Sequence, residues 1–179
     1  MTIVQGKISL DDRGCAYSPE FGDVYASKDG AYEQSRFVFL GGTQLPERWQ
    51  GRDQFTIVEN GFGLGTNFLT TLKAWREDPQ RSGKLFYLAI EGFPLQASDI
   101  KTFLSLSLKA EAEELAAKWP TLTPGVHRLT FDEGRVVLDL YFMPSSAAVK
   151  KLSGAFDAFY PDGFSPKKNP EMWEPRLLK

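Results

Sequence analysis

The sequence contains a single cysteine, Cys15, and a single histidine, His127, among its 179 residues. A structural zinc site needs about four cysteine or histidine ligands, so this scarcity excludes one, and we expect no bound metal. A lone cysteine also excludes a disulfide within the chain, which fits a reducing compartment. No serine or cysteine motif accompanies His127, and we therefore expect no serine-type or cysteine-type nucleophile.

Long hydrophobic runs and a strong net charge are missing too. No window approaches the roughly 20 apolar residues of a membrane span, and the N-terminal residues do not resemble a secretory signal. The net charge of −2 excludes a protein that binds nucleic acid over its whole surface, but it permits a local basic patch. We therefore expect a cytoplasmic protein without a membrane partner.

The composition, with 42% hydrophobic and 25% charged residues, is typical of one globular domain. We interpret residues 1–20 as a loose N-terminal arm and residues 21–179 as the domain. Short apolar runs alternate with helical patterns, and this order predicts an α/β fold with a mostly parallel sheet. The predicted strands are residues 55–59, 85–91, 126–131, 136–142 and 155–160, and the predicted helices are residues 66–75, residues 98–119 and a short one after Asn169.

A glycine-rich loop, residues 59–65, joins the first of these strands to the first helix. Its Gly-x-Gly-x-Gly spacing differs from the dinucleotide fingerprint, and no Gly-Lys-Ser or Gly-Lys-Thr follows as in a P-loop. The spacing fits the shorter loop that holds the amino-acid part of S-adenosylmethionine, with the free N–H groups of the next helix beside it. The alternative is a turn with a purely structural role.

Carboxylates stand at the ends of three predicted strands, at Glu59, Glu91 and Asp162. Ligands of parallel sheets bind at this edge, where Glu91 can accept hydrogen bonds from both hydroxyls of a ribose. Asp162 can hold an amine or accept its proton, and an aromatic residue in the rigid loop after it can stack on a base. Lys167 and Lys168 are candidates for phosphate contacts. The alternatives are solvated side chains at turns, both for Glu91 and for the two lysines.

Together these motifs resemble the methyltransferase domain of the MnmC family, which is also found alone as MnmD. That family belongs to the S-adenosylmethionine-dependent methyltransferases that modify the wobble uridine of tRNA. The resemblance implies a Rossmann-like methyltransferase sheet and S-adenosylmethionine as the cofactor. It rests on ordered motifs at residues 22–25, 33–40, 45–49, 59–69, 91–95, 125–129 and 162–173.

The resemblance also assigns roles to individual residues. It places Asp162 and Phe164 beside the transferred methyl group and the target base, and these two are the predicted catalytic residues. The predicted cofactor-binding residues are Glu59, Gly61, Phe62, Gly63, Gly65, Asn67, Glu91 and Phe93. The predicted substrate-binding residues are Tyr25, Glu33, Lys167 and Lys168.

The implied reaction is N-methylation of an aminomethyl group on the wobble uridine, which gives 5-methylaminomethyl-uridine in a tRNA anticodon loop. In two-domain members a flavin oxidoreductase domain supplies the amine. The chain departs from the family after Phe142, where Met143-Pro144-Ser145-Ser146 replaces an expected aspartate that faces the adenine. The family domain also continues past the helix at Trp173, so we expect a shortened sheet on the C-terminal side. The alternative is therefore a non-catalytic relative that binds RNA or a protein.

Overall fold

A computed structural model describes residues 3–26 and 30–174 of the chain. Within these ranges the strands form a three-stranded sheet and a five-stranded sheet. The strands are β1 (Ser9–Leu10), β2 (Ala16–Ser18), β3 (Asp23–Ala26), β4 (Gln54–Asn60), β5 (Lys84–Glu91), β6 (Gly125–Phe131), β7 (Val136–Phe142) and β8 (Ala158–Pro161).

The five-stranded sheet has the order β6-β7-β5-β4-β8. Strand β5 runs parallel to β7 on one side and to β4 on the other, and β8 runs parallel to β4. Strand β5 is a nearly continuous apolar run, as a strand covered on both faces requires. In this sheet only β6 is antiparallel, and it forms a hairpin with β7. The sheet confirms the predicted α/β fold with mostly parallel strands.

Helices flank this sheet, and α2 is the longest of those described. It buries Phe68, Leu72 and Trp75 in the main hydrophobic core. No helix within the described ranges is both long and apolar enough to cross a membrane. The helices are α1 (Ala31–Ser35), α2 (Thr66–Glu77), α3 (Ala97–Phe103), α4 (Lys109–Lys118) and α5 (Ser145–Ala148), with a π-helical turn at Arg36–Gly41 and 3-10 turns at Glu47–Trp49, Leu106–Leu108, Asp132–Gly134 and Pro170–Trp173.

The prediction of one continuous helix over residues 98–119 is wrong, because an interruption separates α3 from α4. Leu104 adopts an extended backbone conformation. The hydroxyl of Ser105 then accepts a hydrogen bond from the N–H of Ser107 at 3.3 Å, which starts a new turn. Serine side chains compete with helical hydrogen bonds in this way. The apolar spacing continues across the interruption, and for that reason the pattern predicted a single helix.

The expectation of a loose arm is wrong for residues 9–18, which form β1 and β2 of the small antiparallel sheet. The turn between them is held by Asp11, whose Oδ1 accepts hydrogen bonds from the N–H groups of Arg13 and Cys15 at 2.9 and 2.8 Å. These strands are two and three residues long. Such short strands cannot show the alternation that reveals a strand in a sequence.

The small sheet lies over the carboxyl ends of the parallel strands. Ala16 of β2, Leu64 of the glycine loop and Leu95 form one buried apolar cluster. The N–H of Gly6 also donates to the carbonyl of Pro94, 3.1 Å away, in the segment that follows β5. These contacts place β3 above the edge of the main sheet at which parallel α/β folds bind their ligands.

Candidate active site

The glycine loop turns the chain from β4 into α2 and passes close to the segment that follows β8. Gly61 has a φ of +99°, and a Cβ at this position would lie 1.6 Å from the carbonyl oxygen of Asp162. Gly65 has a φ of +82°, and a Cβ there would lie 2.8 Å from the ring of Phe62. Glycine is required at both positions, since other residues rarely adopt positive φ values.

A cavity of about 300 Å³ opens between the glycine loop, the ends of β5 and β8, and strand β3. We name it the first cavity. Of the predicted site residues it is lined by Tyr25, Gly61, Phe62, Gly63, Glu91, Phe93, Asp162 and Phe164. The structure therefore brings together residues that are more than a hundred positions apart in the sequence.

Glu91 holds two backbone segments at the mouth of the glycine loop. Its Oε2 accepts a hydrogen bond from the N–H of Gly63 at 2.8 Å, and its Oε1 accepts one from the N–H of Phe93 at 2.7 Å. Burial raises the pKa of Glu91 above its ordinary value, and these backbone hydrogen bonds act in the opposite direction. A carboxylate offers about four lone pairs, so both oxygens can still accept a ligand hydroxyl.

Asp162 stands directly after β8 and lines the cavity. Its Oδ2 accepts a hydrogen bond from Nδ2 of Asn67 at 2.6 Å. Protein atoms surround the carboxylate, and this loss of hydration raises the pKa of Asp162 to about 6, although the hydrogen bond from Asn67 opposes the shift. A carboxylate with this pKa is ionised at neutral pH and can still accept a proton at a modest energetic cost.

Behind Asp162 lies a buried polar network. Nδ2 of Asn67 also donates to Oε1 of Glu59 at 2.8 Å, and the hydroxyl of Ser35 donates to Oδ1 of Asn67 at 2.6 Å. Burial, and then the charge of Asp162, raise the pKa of Glu59 well above its ordinary value. Glu59 and Asn67 were predicted as cofactor-binding residues, but neither lines the first cavity.

Aromatic rings cover one side of the cavity. Phe164 stacks on Phe21 with ring centroids 4.8 Å apart, and its ring meets the edge of Tyr25 at 5.1 Å. Phe93 meets Phe21 edge-on at 5.0 Å. Phe21 packs against these rings but does not itself belong to the described lining of the cavity, and the sequence did not single it out. Its position is fixed by the small sheet, which the sequence pattern did not reveal.

Some predicted residues lie elsewhere. The side chain of Phe62 is buried and stacks on Trp119, so its backbone alone can reach a ligand in the cavity. Glu33 and Lys167 are exposed, and neither belongs to the described lining of the cavity. Lys168 forms an ion pair with Asp23 at 3.3 Å and donates to the carbonyl of Gly22. Lys168 thus ties the loop after β8 to the small sheet.

The lining of the first cavity is acidic, although Lys168 pairs with Asp23 from outside the lining. The described lining contains carboxylates and neither lysine nor arginine. Such a cavity favours a cationic ligand and disfavours phosphate. Among the described residues no group of histidine, cysteine, aspartate or glutamate could hold a metal ion. The carboxylates are Asp23, Glu91, Asp162, Glu171 and Glu174.

Comparisons with known proteins agree with this geometry. Residues 107–179 match a family described as S-adenosyl-L-methionine-dependent methyltransferase. The bifunctional protein MnmC of tRNA 5-methylaminomethyl-2-thiouridine biosynthesis is 47% identical to this chain in Paraburkholderia phytofirmans, over 182 residues, and in Azoarcus sp., over 180 residues. These matches support an MnmC-type methyltransferase domain that depends on S-adenosyl-L-methionine. This family match confirms the cofactor that the glycine loop and the resemblance predicted.

Each of these two alignments covers 99% of the chain but 28% of the relative. The chain therefore spans less than a third of the length of these MnmC proteins. The crystal structure of MNMC2 from Aquifex aeolicus matches with a TM-score of 0.72 at 23% identity, over 98% of this chain and 54% of that one. At this identity the likeness supports the Rossmann-like methyltransferase fold.

In this MnmC-type domain the segment after β7 carries serines at the cavity wall. The hydroxyl of Ser145 donates to Oδ1 of Asn60 at 2.6 Å, and Nδ2 of Asn60 donates to the carbonyl of Met172 at 3.0 Å. Sequence reasoning missed Asn60, although it directly follows Glu59 at the strand end. Ser145 stands in the segment where the family aspartate was expected, so a hydroxyl there belongs to the cavity wall in place of a carboxylate.

Proposed function

We propose that this domain transfers a methyl group from S-adenosylmethionine to the aminomethyl group of a tRNA wobble uridine. The observation that carries the proposal is the first cavity, in which Asp162 and Glu91 lie beside the glycine loop and no described lysine or arginine intrudes. The name of the relatives supports the substrate, because a methylaminomethyl group differs from an aminomethyl group by one N-methyl. The proposal concerns this methyl transfer alone and not the whole biosynthetic activity named in the longer relatives.

The lining of the first cavity fits S-adenosylmethionine. The cofactor carries a positive sulfonium and a positive amino group, which match the carboxylates of the cavity. Glu91 has lone pairs left for ribose hydroxyls. Thr66 belongs to the cavity and begins α2, whose first N–H groups can bind the carboxylate of the cofactor. Gly61 and Gly63 allow a ligand to approach the backbone, and Phe93 supplies an apolar wall.

When bound, S-adenosylmethionine supplies a methyl group on a sulfonium sulfur, so that an amine forms an N–C bond while the C–S bond breaks and its electron pair stays on sulfur. The amine must be uncharged to attack, and it must lose one proton in total. Asp162 accepts this proton or orients the amine through its carboxylate. Phe164 and Tyr25 form the aromatic wall beside it. Most of the acceleration then comes from holding the reacting groups in position.

The outer contacts of the proposed tRNA complex lie beyond the cavity. Lys167 and Glu33 are exposed and remain proposed contacts of the anticodon loop. Lys168 is proposed to act with them, although it also pairs with Asp23. The relatives are bifunctional and longer, and the family resemblance implies a flavin oxidoreductase partner that supplies the amine. Such a tRNA substrate also supports a cytoplasmic location.

Two measurements test the proposal. Calorimetry with S-adenosylmethionine should give saturable heat, and a tRNA with 5-aminomethyl-2-thiouridine at the wobble position should accept labelled methyl. Asp162→Ala should abolish transfer while the cofactor still binds, and Asp53→Ala, which removes an exposed carboxylate, should behave as the wild type. Absence of cofactor heat would favour the alternative of a non-catalytic binding module. Full activity in Asp162→Ala would remove Asp162 from its role.

A further inference from the structure

A second cavity, of about 430 Å³, adjoins the first one. Its wall combines Arg13 and Cys15, from the turn between β1 and β2, with Gln34 and Ser35 of α1. None of these four residues was a predicted site residue. The turn belongs to the N-terminal segment that the sequence suggested was loose, and its position over the main sheet therefore could not be anticipated.

The two cavities meet at Asp162. Both linings contain Val24, Tyr25, Thr66 and Asp162. A methyl transfer needs the donor and the acceptor on opposite sides of the moving carbon, with the proton-accepting group within reach of the acceptor. If the first cavity holds the methyl donor, the second cavity is the space from which an acceptor reaches the same carboxylate.

The second cavity differs from the first in charge. Within the described lining Arg13 is its one cationic side chain and Asp162 its one carboxylate. The guanidinium of Arg13 donates Nε and Nη2 to Oδ2 of Asp11, at 3.3 and 3.1 Å, and its side chain is 78% exposed. Arginine can bind a phosphate while one edge of its guanidinium is held by a carboxylate. Arg13 thus brings an exposed cationic side chain to the wall of the second cavity, where an anionic group can meet it.

The wall also offers neutral groups that suit a pyrimidine. The side chain of Gln34 is exposed, and an amide carries both a donor and an acceptor, as does the edge of a uracil ring. The hydroxyl of Ser35 is already committed to Asn67 at 2.6 Å. Tyr25 and Phe39 add aromatic surface to the lining, against which a base can pack.

We propose that the second cavity receives the acceptor nucleotide, with its pyrimidine edge at Gln34, its phosphate at Arg13 and its amine at Asp162. This inference rests on the proposed function and specifies where the substrate of that reaction binds. It assigns base recognition to the second cavity, whereas the sequence assigned it to the surroundings of Phe164. It also assigns a contact with the tRNA to the turn between β1 and β2.

Cys15 gives a direct test, since it is the single cysteine of the sequence and lies in the wall of the second cavity. We expect an anticodon stem-loop RNA with 5-aminomethyl-2-thiouridine to slow the alkylation of Cys15 by N-ethylmaleimide. At an RNA concentration of about ten times Kd, alkylation should slow about tenfold. S-adenosylmethionine alone should not slow it. The variant Cys15→Ser, with and without reagent, controls for modification at other groups.

Variants of the wall give a second readout. Arg13→Ala and Gln34→Ala should each raise KM for the RNA about tenfold, as the loss of one hydrogen bond to a charged or buried partner does. The Kd of S-adenosylmethionine should stay unchanged in both. Arg135→Ala is the matched control, because Arg135 is exposed and precedes β7 at the opposite edge of the main sheet.

The outcomes separate this inference from the proposed function. If the wild type methylates the RNA but RNA does not protect Cys15 and Arg13→Ala leaves KM unchanged, the second cavity is not the acceptor site and the proposed function stands. If the wild type methylates no RNA, the proposed function fails. In that case protection of Cys15 by the RNA still supports a nucleotide site in the second cavity. Lack of protection overturns the inference that the second cavity binds a nucleotide.

Discussion

The side-chain amide of Asn67 lies 2.6 Å from the carboxylate of Asp162. The hydroxyl of Ser35 donates to Oδ1 of Asn67 and so fixes the orientation of the amide. Nδ2 of Asn67 then faces the carboxyl groups of Glu59 and Asp162. Asn67 was predicted to bind the cofactor. Its contacts fit a positioning residue for the proposed reaction, because Nδ2 holds one oxygen of Asp162 and leaves the other for the acceptor amine.

Substitution of Asn67 should shift the pH dependence of methyl transfer. The hydrogen bond from Asn67 lowers the pKa of Asp162 against the effect of burial, so Asn67→Leu should raise that pKa further. The acidic limb of log kcat/KM against pH should then move to higher pH, and kcat should fall about tenfold or more. Thr70→Val, at another buried position on α2, serves as control. An unchanged acidic limb in Asn67→Leu would contradict the positioning role.

The sequence predicted the part of the site that is built by elements adjacent in the chain. A strand, a glycine loop and a helix follow one another in residues 54–77, and the strand-end carboxylates at Glu91 and Asp162 could be located without a structure. Parallel strands bring such ends to one edge of the sheet. These residues do line one cavity in the structure.

The remainder of the site depends on contacts between distant segments. Asn67 and Asp162 are separated by 95 positions, and nothing in the helical pattern around Asn67 distinguishes a hydrogen-bond donor to a carboxylate from a ligand contact. The inward orientation of Phe62 depends on Trp119, which stacks on it at 5.7 Å. The strands of the small sheet were too short to produce a readable alternation. Sequence patterns record periodicity and local turns, but they do not record such long-range pairings.

The raised pKa of Asp162 predicts a cost in stability that depends on pH. The folded pKa of about 6 lies above the ordinary value of 3.8. Protonated Asp162 therefore makes its full contribution to the free energy of unfolding below the ordinary pKa. This contribution is lost as pH rises through the folded pKa. Because asparagine does not ionise, Asp162→Asn should not lose stability in this way as pH rises. Its melting temperature should exceed that of the wild type at about pH 7.5, and the difference should shrink towards about pH 4.5.

Scanning calorimetry of the two proteins across this pH range checks the prediction. Asp53→Asn is the matched control, because Asp53 is exposed. A pH-independent difference between Asp162→Asn and the wild type would show that the substitution acts through packing and not through ionisation. A stabilised but inactive Asp162→Asn would identify the carboxylate as a group kept for function at the expense of stability.

Gly61 should tolerate alanine much less well than another glycine with positive φ. A Cβ at Gly61 would overlap the carbonyl of Asp162 at 1.6 Å, whereas a Cβ at Gly51, which has a φ of +68°, meets nothing within 4 Å. Gly51→Ala should cost about 1–2 kcal/mol from backbone strain alone. Gly61→Ala should cost clearly more and should also weaken cofactor binding, because the segment after β8 must move.

Urea denaturation of both variants, together with calorimetric titration of S-adenosylmethionine, measures the two effects. The prediction requires that Gly61→Ala lose both stability and affinity while Gly51→Ala loses a little stability and no affinity. Equal costs at the two positions would mean that the close approach of the glycine loop to Asp162 is not needed for the fold.

Substitution of Glu91 should both weaken the binding of S-adenosylmethionine and disturb the glycine loop. Its two oxygens accept from the N–H groups of Gly63 and Phe93, so a glutamine must turn its NH₂ group towards one of these donors. Glu91→Gln also removes the negative charge that faces a cationic ligand. The loss of one charge-assisted hydrogen bond, about 1.5–3 kcal/mol, corresponds to a rise in Kd of about 10–140-fold.

Isothermal titration with S-adenosylmethionine measures this rise, and Glu113→Gln on the exposed face of α4 is the control. Glu91→Ala should bind more weakly still and should melt at a lower temperature, since the N–H groups of Gly63 and Phe93 then lose their acceptor. If Glu91→Gln bound the cofactor as tightly as the wild type, Glu91 would be a brace of the loop alone. The ribose would then have to be held by another group of the first cavity, for which Ser145 and Ser146 are the hydroxyl-bearing candidates in the segment that lacks the expected aspartate.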